Sequence, residues 1–177
     1  MLVFGCVLIW KNPELMEKRL NTREKEHAQR SVIALSAAIF LGGLIIAGLD
    51  FRFQWLPLPL WIPITATVLF LIAFMLYGEV LRENAYLSRT VEVQEGQKVI
   101  NTGLYGVVRH PMYLATLLLF LSMPIMLGSA FSFLLFLIYP ALLVKRIRNE
   151  EDVLKTGLEG YEEYTQRIKY RLIPLVW

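Results

Sequence analysis

PMYLATLLLFLSMPIMLGSAFSFLLFLIYPALLV, Pro111–Val144, carries no charged residue. As one helix it would run roughly 50 Å at about 1.5 Å per residue. That far exceeds a hydrocarbon core of about 30 Å. Gly128 and Ser129 stand near its middle, and turn residues there fold the run into a helical hairpin, Pro111–Leu127 and Ala130–Val144. The arms are short, which calls for little tilt or a thinned bilayer. Pro124 and Pro140 each free a backbone carbonyl, and can either kink an arm or sit there as ordinary membrane-helix prolines.

Upstream, Ser31–Leu49 and Phe53–Gly78 are also free of charge. Each is long enough to read as one span, since a helix needs about 20 apolar residues to cross. Met1–Trp10 is apolar but too short to cross, and lacks the basic start of a secretory signal. It counts as a partial first helix. The fold expected is an all-α integral membrane protein with four full transmembrane helices plus a partial N-terminal one. Residues 1–89 hold the N-terminal helices and a basic loop. Residues 90–177 hold a loop, the hairpin and an amphipathic tail, within a single structural domain.

Composition agrees. The 177 residues are 56% hydrophobic and 19% charged, with mean hydropathy +0.50. That excludes disorder and disfavours a soluble globule. One cysteine, Cys6, and two histidines, His27 and His110, exclude a disulfide, a cysteine zinc cluster and a histidine-rich metal site. The net charge of +3 reads as a topology signal, not a nucleic-acid footprint. Six basic residues fill the first loop, four the middle loop and seven the tail, so 17 of 18 lie on one face. Arg52 alone lies opposite. The positive-inside rule puts the basic face in the cytoplasm.

The polar chemistry gathers at that face. Gly96, Gly103 and Gly106 mark turns in Asn84–His110, and Thr90–Ile100 alternates enough to be partly extended. A tail helix is expected from Asn149 to about Leu158, ended by Gly160. Val153, Leu154 and Leu158 suit an interfacial face, with Tyr161, Tyr164, Tyr170 and Trp177 at headgroup level. Pro111 opens a helix after His110, leaving N–H groups that can hold an anion. The bland alternative is a helix cap with an interfacial Arg109. Arg146 and Glu150 are four apart and share a helix face. They form either an exposed ion pair of little worth or a cation and a carboxylate at the mouth of a membrane pocket. No GxGxxG, P-loop, HExxH or credible Ser/His/Asp set is present, so no soluble Rossmann enzyme is encoded.

The stretch Gln97-Lys98-Val99-Ile100-x-x-Gly103-Leu104-Tyr105-x-x-x-Arg109-His110-Pro111-Met112-Tyr113, then a hairpin, then Arg146-x-x-x-Glu150-Glu151, Gly160-Tyr161-x-x-Tyr164 and Arg171-Leu172-Ile173-Pro174, resembles the isoprenylcysteine carboxyl methyltransferase family. Phospholipid N-methyltransferases belong to the same wider group. The likeness spans Thr90 to Pro174. It implies S-adenosylmethionine as methyl donor, bound at the cytoplasmic face, and no metal. Position by position, it implies that Gln97, Lys98, Val99, Ile100, Tyr105, His110, Pro111, Met112 and Tyr113 line the cofactor site. Glu150 is the implied carboxylate beside the cofactor, and Arg146 faces the methyl acceptor. The segment from Glu151 to Tyr161 is one residue shorter than the family's, so Glu151 stands beside Glu150 as a candidate.

The physics is compatible. Tyrosine faces stabilise a sulfonium by about 0.5–2 kcal/mol, and methyl transfer needs alignment and exclusion of water. An arginine holds a carboxylate with a bidentate fork. The expected activity is methyl transfer to a lipophilic or small acceptor: an isoprenylcysteine-like carboxylate, a phospholipid amine or a thiol. The alternatives are an NADPH-dependent membrane reductase of the sterol type, and a non-catalytic membrane protein that keeps the fold.

Overall fold

A computed structural model describes residues 27–88 and 90–177, with side chains from Ser31 onward. The partial helix at Met1–Trp10, Cys6 and most of the first basic loop lie outside the described residues.

Helix α1 runs His27–Phe53 and α2 Trp61–Glu83. Both are apolar nearly all round, as a helix in lipid must be. Leu41, Ile45, Val68 and Met75 stand exposed on their outer faces. The buried seam of α2 is Ala66, Ala73 and Val80, each a heptad from the next. Small residues at that spacing let its backbone approach α3, Pro111–Met126. On α1, Gly43 plays the same part, because a Cβ there would collide with the Phe136 ring.

The hairpin turn forms where Gly128 and Ser129 place it. Gly128 takes φ +79. Ser129 caps the short α4, Ala130–Phe136, by accepting from Ser132 N at 3.1 Å. Both serines also reach α1: Ser132 Oγ donates to Gly43 O at 2.8 Å, and Ser129 Oγ to Asp50 Oδ2 at 2.6 Å. Asp50 is 3% exposed, and Leu56 N donates to its other oxygen at 3.4 Å. This buried polar cluster ties the turn to α1 at the end of the bundle remote from the basic loops.

Several boundaries differ from the sequence reading. The first span continues past Leu49 to Phe53, because Asp50 is satisfied internally and does not end the helix. Arg52 lies in its last turn, not in a loop. The second span starts at Trp61, not Phe53, and runs beyond Gly78 to Glu83. The expected arm Ala130–Val144 is interrupted at Leu137–Ile138, and Pro140 stands in the first turn of α5, Tyr139–Gly157. No separate tail helix starts at Asn149. The hairpin's return arm carries straight on through the charged residues, since a helix backbone needs no break at the bilayer edge. Three described helical stretches are long and apolar enough to cross a membrane: Ser31–Phe53, Trp61–Glu83, and Ala130–Gly157, in which α4 and α5 follow one another. Pro111–Met126, expected as a full span, has 16 residues and is shorter. Thr90–Ile100 forms no strand. It is irregular, with a turn closed by Gln97 N donating to Gln94 O at 3.1 Å. Helix α6 is Tyr161–Arg167.

Candidate active site

The start of α1, the end of α2, the start of α3 and the charged half of α5 converge on one cavity of about 690 Å³. The middle loop and α6 close over it. Its membrane side is apolar, with Val32, Phe74, Leu119 and Leu143 on the wall. Its opposite side carries the loop and tail residues.

The loop is positioned from α2. Glu83, the last residue of that helix, accepts from Leu104 N at 3.1 Å and Thr102 Oγ1 at 3.0 Å. This pins a 3-10 turn, Gly103–Gly106. Gly103 has φ +47, and a Cβ there would collide with the Glu83 carboxylate, so only glycine fits. Tyr105 is thereby turned inward, where Asn84 Nδ2 donates to its hydroxyl at 3.0 Å. Burial raises the Tyr105 pKa, so it stays protonated.

The RHP element is locked to the tail. Arg109 N and His110 N donate to Tyr170 O and Arg171 O, both at 2.9 Å. Glu151, 2% exposed, accepts from Arg109 Nε at 2.7 Å and Arg171 Nε at 2.8 Å. His110 Nε2 lies 3.3 Å from it. Arg109 Nη1 also donates to Ile168 O at 2.7 Å and Lys169 O at 3.0 Å. A carboxylate this deep is tolerable because cations surround it.

Glu150, one residue earlier, turns to the cavity. The Tyr113 hydroxyl donates to Glu150 Oε2 in a short contact, and Arg146 Nε donates to the same hydroxyl at 2.8 Å. The Arg146 guanidinium lies 5.8 Å from the Tyr113 ring centroid. The i,i+4 pair expected from the sequence is therefore joined through a tyrosine of another helix, at the cavity wall.

Of the residues singled out in the sequence, Gln97, Lys98, Val99, Ile100, Tyr105, His110, Met112, Tyr113, Arg146 and Glu150 all line the cavity. Pro111 and Glu151 do not; Pro111 is fully buried behind the wall. Two expectations for the tail are corrected. Val153, Leu154 and Leu158 line the cavity, and Leu154 and Leu158 pack with Val93 and Val99, so this face serves the loop and not a membrane surface. Tyr161 and Tyr164 are buried at 4% and 5% exposure, not at headgroup level. The Tyr164 hydroxyl donates to Tyr105 O at 2.7 Å, and burial pushes its pKa up to about 12.

The family model of isoprenylcysteine carboxyl methyltransferases matches residues 61–156, more than half of the chain and all of α2 to the charged half of α5. The chain belongs to the isoprenylcysteine carboxyl methyltransferase family. The match starts earlier than the motif-based likeness, which begins at Thr90, and takes in the helix that positions the loop. Among curated proteins the chain is similar to Delta(14)-sterol reductase TM7SF2 of Mus musculus, 35% identical over 91 residues. Those residues are 50% of this chain and 22% of the reductase, so the chain spans about a fifth of that relative. No group of three or more metal-ligating side chains occurs among the described residues.

Proposed function

We propose that the chain is an S-adenosylmethionine-dependent membrane methyltransferase. It acts on a lipophilic acceptor, with the site at the cytoplasmic face. This reading rests on the division of one cavity between a charged end, Arg146–Tyr113–Glu150, and an apolar membrane side. The residues present fit the cofactor. Glu150 offers a carboxylate, and Tyr105 and Tyr113 offer aromatic faces to a cation. The loop Gln97–Ile100 brings backbone groups to the wall. Bound there, the cofactor supplies a methyl group activated by a sulfonium.

The chain's own residues do the rest. Arg146 holds the acceptor: a guanidinium fork suits a carboxylate, which favours an anionic headgroup over an amine. Tyr113 fixes Arg146 against Glu150, so acceptor and donor are held in one geometry and the entropy of alignment is lost before reaction. The apolar wall of Val32, Phe74, Leu119 and Leu143 takes the hydrocarbon part and excludes water. Glu151 remains outside the cavity and holds Arg109, His110 and the tail in place. Of the described residues, those of 27–88 support the site and give part of its apolar wall, those of 90–177 carry its charged groups, and we take them as a single structural domain. The basic residues of the loops and tail support a cytoplasmic orientation for that face.

The likeness to a sterol reductase favours a second reading, NADPH-dependent reduction. Incubating membranes that contain the protein with methyl-labelled S-adenosylmethionine separates the two. Label in an organic-extractable acceptor, lost in Arg146→Ala, is the expected result. Absence of label together with consumption of NADPH would replace the proposal.

A further inference from the structure

Tyr161 opens α6, directly after Gly160 at φ +79. Its ring lies 5.7 Å from that of Tyr164. The two hydroxyls differ. That of Tyr164 is satisfied by Tyr105 O. That of Tyr161 is buried and has no hydrogen-bond partner among the described residues. A buried hydroxyl left unpaired carries a desolvation penalty that folded proteins rarely accept without a ligand or water.

Tyr161 lines the cavity beside Val99, Leu154 and Leu158. Its packing neighbours, Val93, Val99, Leu154 and Leu158, make an apolar slot with one unsatisfied neutral donor, and Glu151, Glu150 and Arg109 lie near enough to act on that hydroxyl. Arg146 and Glu150 sit with Tyr113 on the α3–α5 side, and Glu92, Lys98 and Arg109 bring further charge to the lining. A zwitterionic amino-acid chain and a sulfonium suit the charged side. A flat nucleoside suits the apolar slot, where stacking needs carbon walls and a ring nitrogen or sugar oxygen needs a donor.

Resting on the methyl-donor reading, we propose that Tyr161 is a positioning residue for the cofactor, its hydroxyl donating to an acceptor atom of the adenosine half. Desolvation raises the pKa of Tyr161, so the hydroxyl keeps its proton throughout the physiological range.

The test titrates detergent-purified wild-type and Tyr161→Phe protein with S-adenosylhomocysteine and with 5′-methylthioadenosine, which lacks the amino-acid half, and melts each protein without ligand. Tyr161→Phe should bind both compounds about tenfold more weakly, which is about 1.4 kcal/mol. Its ligand-free melting temperature should be unchanged or raised, because no bond is lost. Tyr164→Phe, which breaks a made bond, should melt lower. Unchanged affinity for both compounds would overturn the assignment. So would loss for S-adenosylhomocysteine alone, which puts the hydroxyl on the amino-acid half, or a lowered melting temperature of Tyr161→Phe, which makes its role structural. Failure of folded wild-type protein to bind either compound would instead remove the methyl-donor reading, and this assignment with it.

Discussion

The two faces of α5 at its charged end do opposite things with the same side chain. On one face Glu151 is 2% exposed and is held by Arg109, Arg171 and His110. On the other Glu150 faces the cavity and takes one bond from Tyr113. The first arrangement uses its charge to fix the chain: it fastens the start of α3 to the tail beyond α6. The second keeps a carboxylate available to a ligand. Adjacent helix positions are about 100° apart, so a Glu pair can serve both faces at once. A buried charge with complete partners stabilises or specifies, whereas one turned to a cavity is a candidate for chemistry.

Breaking the closed face should have the largest effect. Glu151→Ala leaves the buried Arg109 without its counter-charge and frees the half-buried Arg171, and should cost about 3–5 kcal/mol of stability. Thermal melting in detergent should show it as a large drop or as failure to purify folded protein. A loss within about 1 kcal/mol, the worth of an exposed pair, would mean that the cluster is not what holds the tail.

The remote end of the bundle offers a control. Gly43→Leu drives a side chain into Phe136 and should cost about 1–3 kcal/mol by overpacking. Gly43 is not on the cavity wall, and Phe136 meets that wall through Phe120 on the apolar side, away from Glu150, so cofactor affinity measured below the melting range should change little. A parallel fall in affinity would show that the two ends are coupled.

Gly103→Ala is a smaller break, on the cavity's loop. It strains a residue at φ +47 and crowds Glu83, at a cost of about 1 kcal/mol. Melting should fall slightly, and cofactor binding should fall more than for Gly43→Leu, since the loop carries Gln97–Ile100 and Tyr105.

The smallest effect is alkaline. Tyr164 is protonated in folded and unfolded chain below about pH 10, so it adds no pH dependence there. Its folded pKa is raised from the usual 10 to about 12. Between those values the unfolded chain releases the proton first, and stability falls as pH rises. Melting temperature followed across that alkaline window should decline less steeply in Tyr164→Phe.

Much of this is legible in the sequence, for identifiable reasons. An uncharged run too long for one span, with Gly128-Ser129 at its centre, admits little but a hairpin, and that turn is present. Most of the singled-out residues reach the cavity wall, since helix spacing and a short loop after Gly103 leave them little freedom. Boundaries differ where charge reads as an edge. Asp50 is internal because Ser129, on a distant part of the chain, satisfies it, and no local signal reports that. The same holds for Glu150 and Glu151: which one faces the cavity depends on Arg171 crossing back over α5. Arg109 and Arg171 both belong to the quoted motif, and counting them as cations in need of a buried partner points to one glutamate of the pair. Tyr161 and Tyr164 elude a local reading because aromatics near a span suit headgroups equally well. The nearby signal is Gly160, whose positive φ turns the chain back towards the loop.

The proposed division of labour between neighbours, Glu150 for the cofactor and Glu151 for the fold, is open to one direct measurement. It is calorimetric titration of detergent-purified Glu150→Gln with S-adenosylmethionine, beside wild type, with melting of each ligand-free protein. Wild type should bind in the micromolar range. Glu150→Gln should bind at least about tenfold more weakly, a loss of about 1.4 kcal/mol, at an essentially unchanged melting temperature. Wild-type affinity in Glu150→Gln, or a loss of affinity that only tracks a loss of stability, would refute that division.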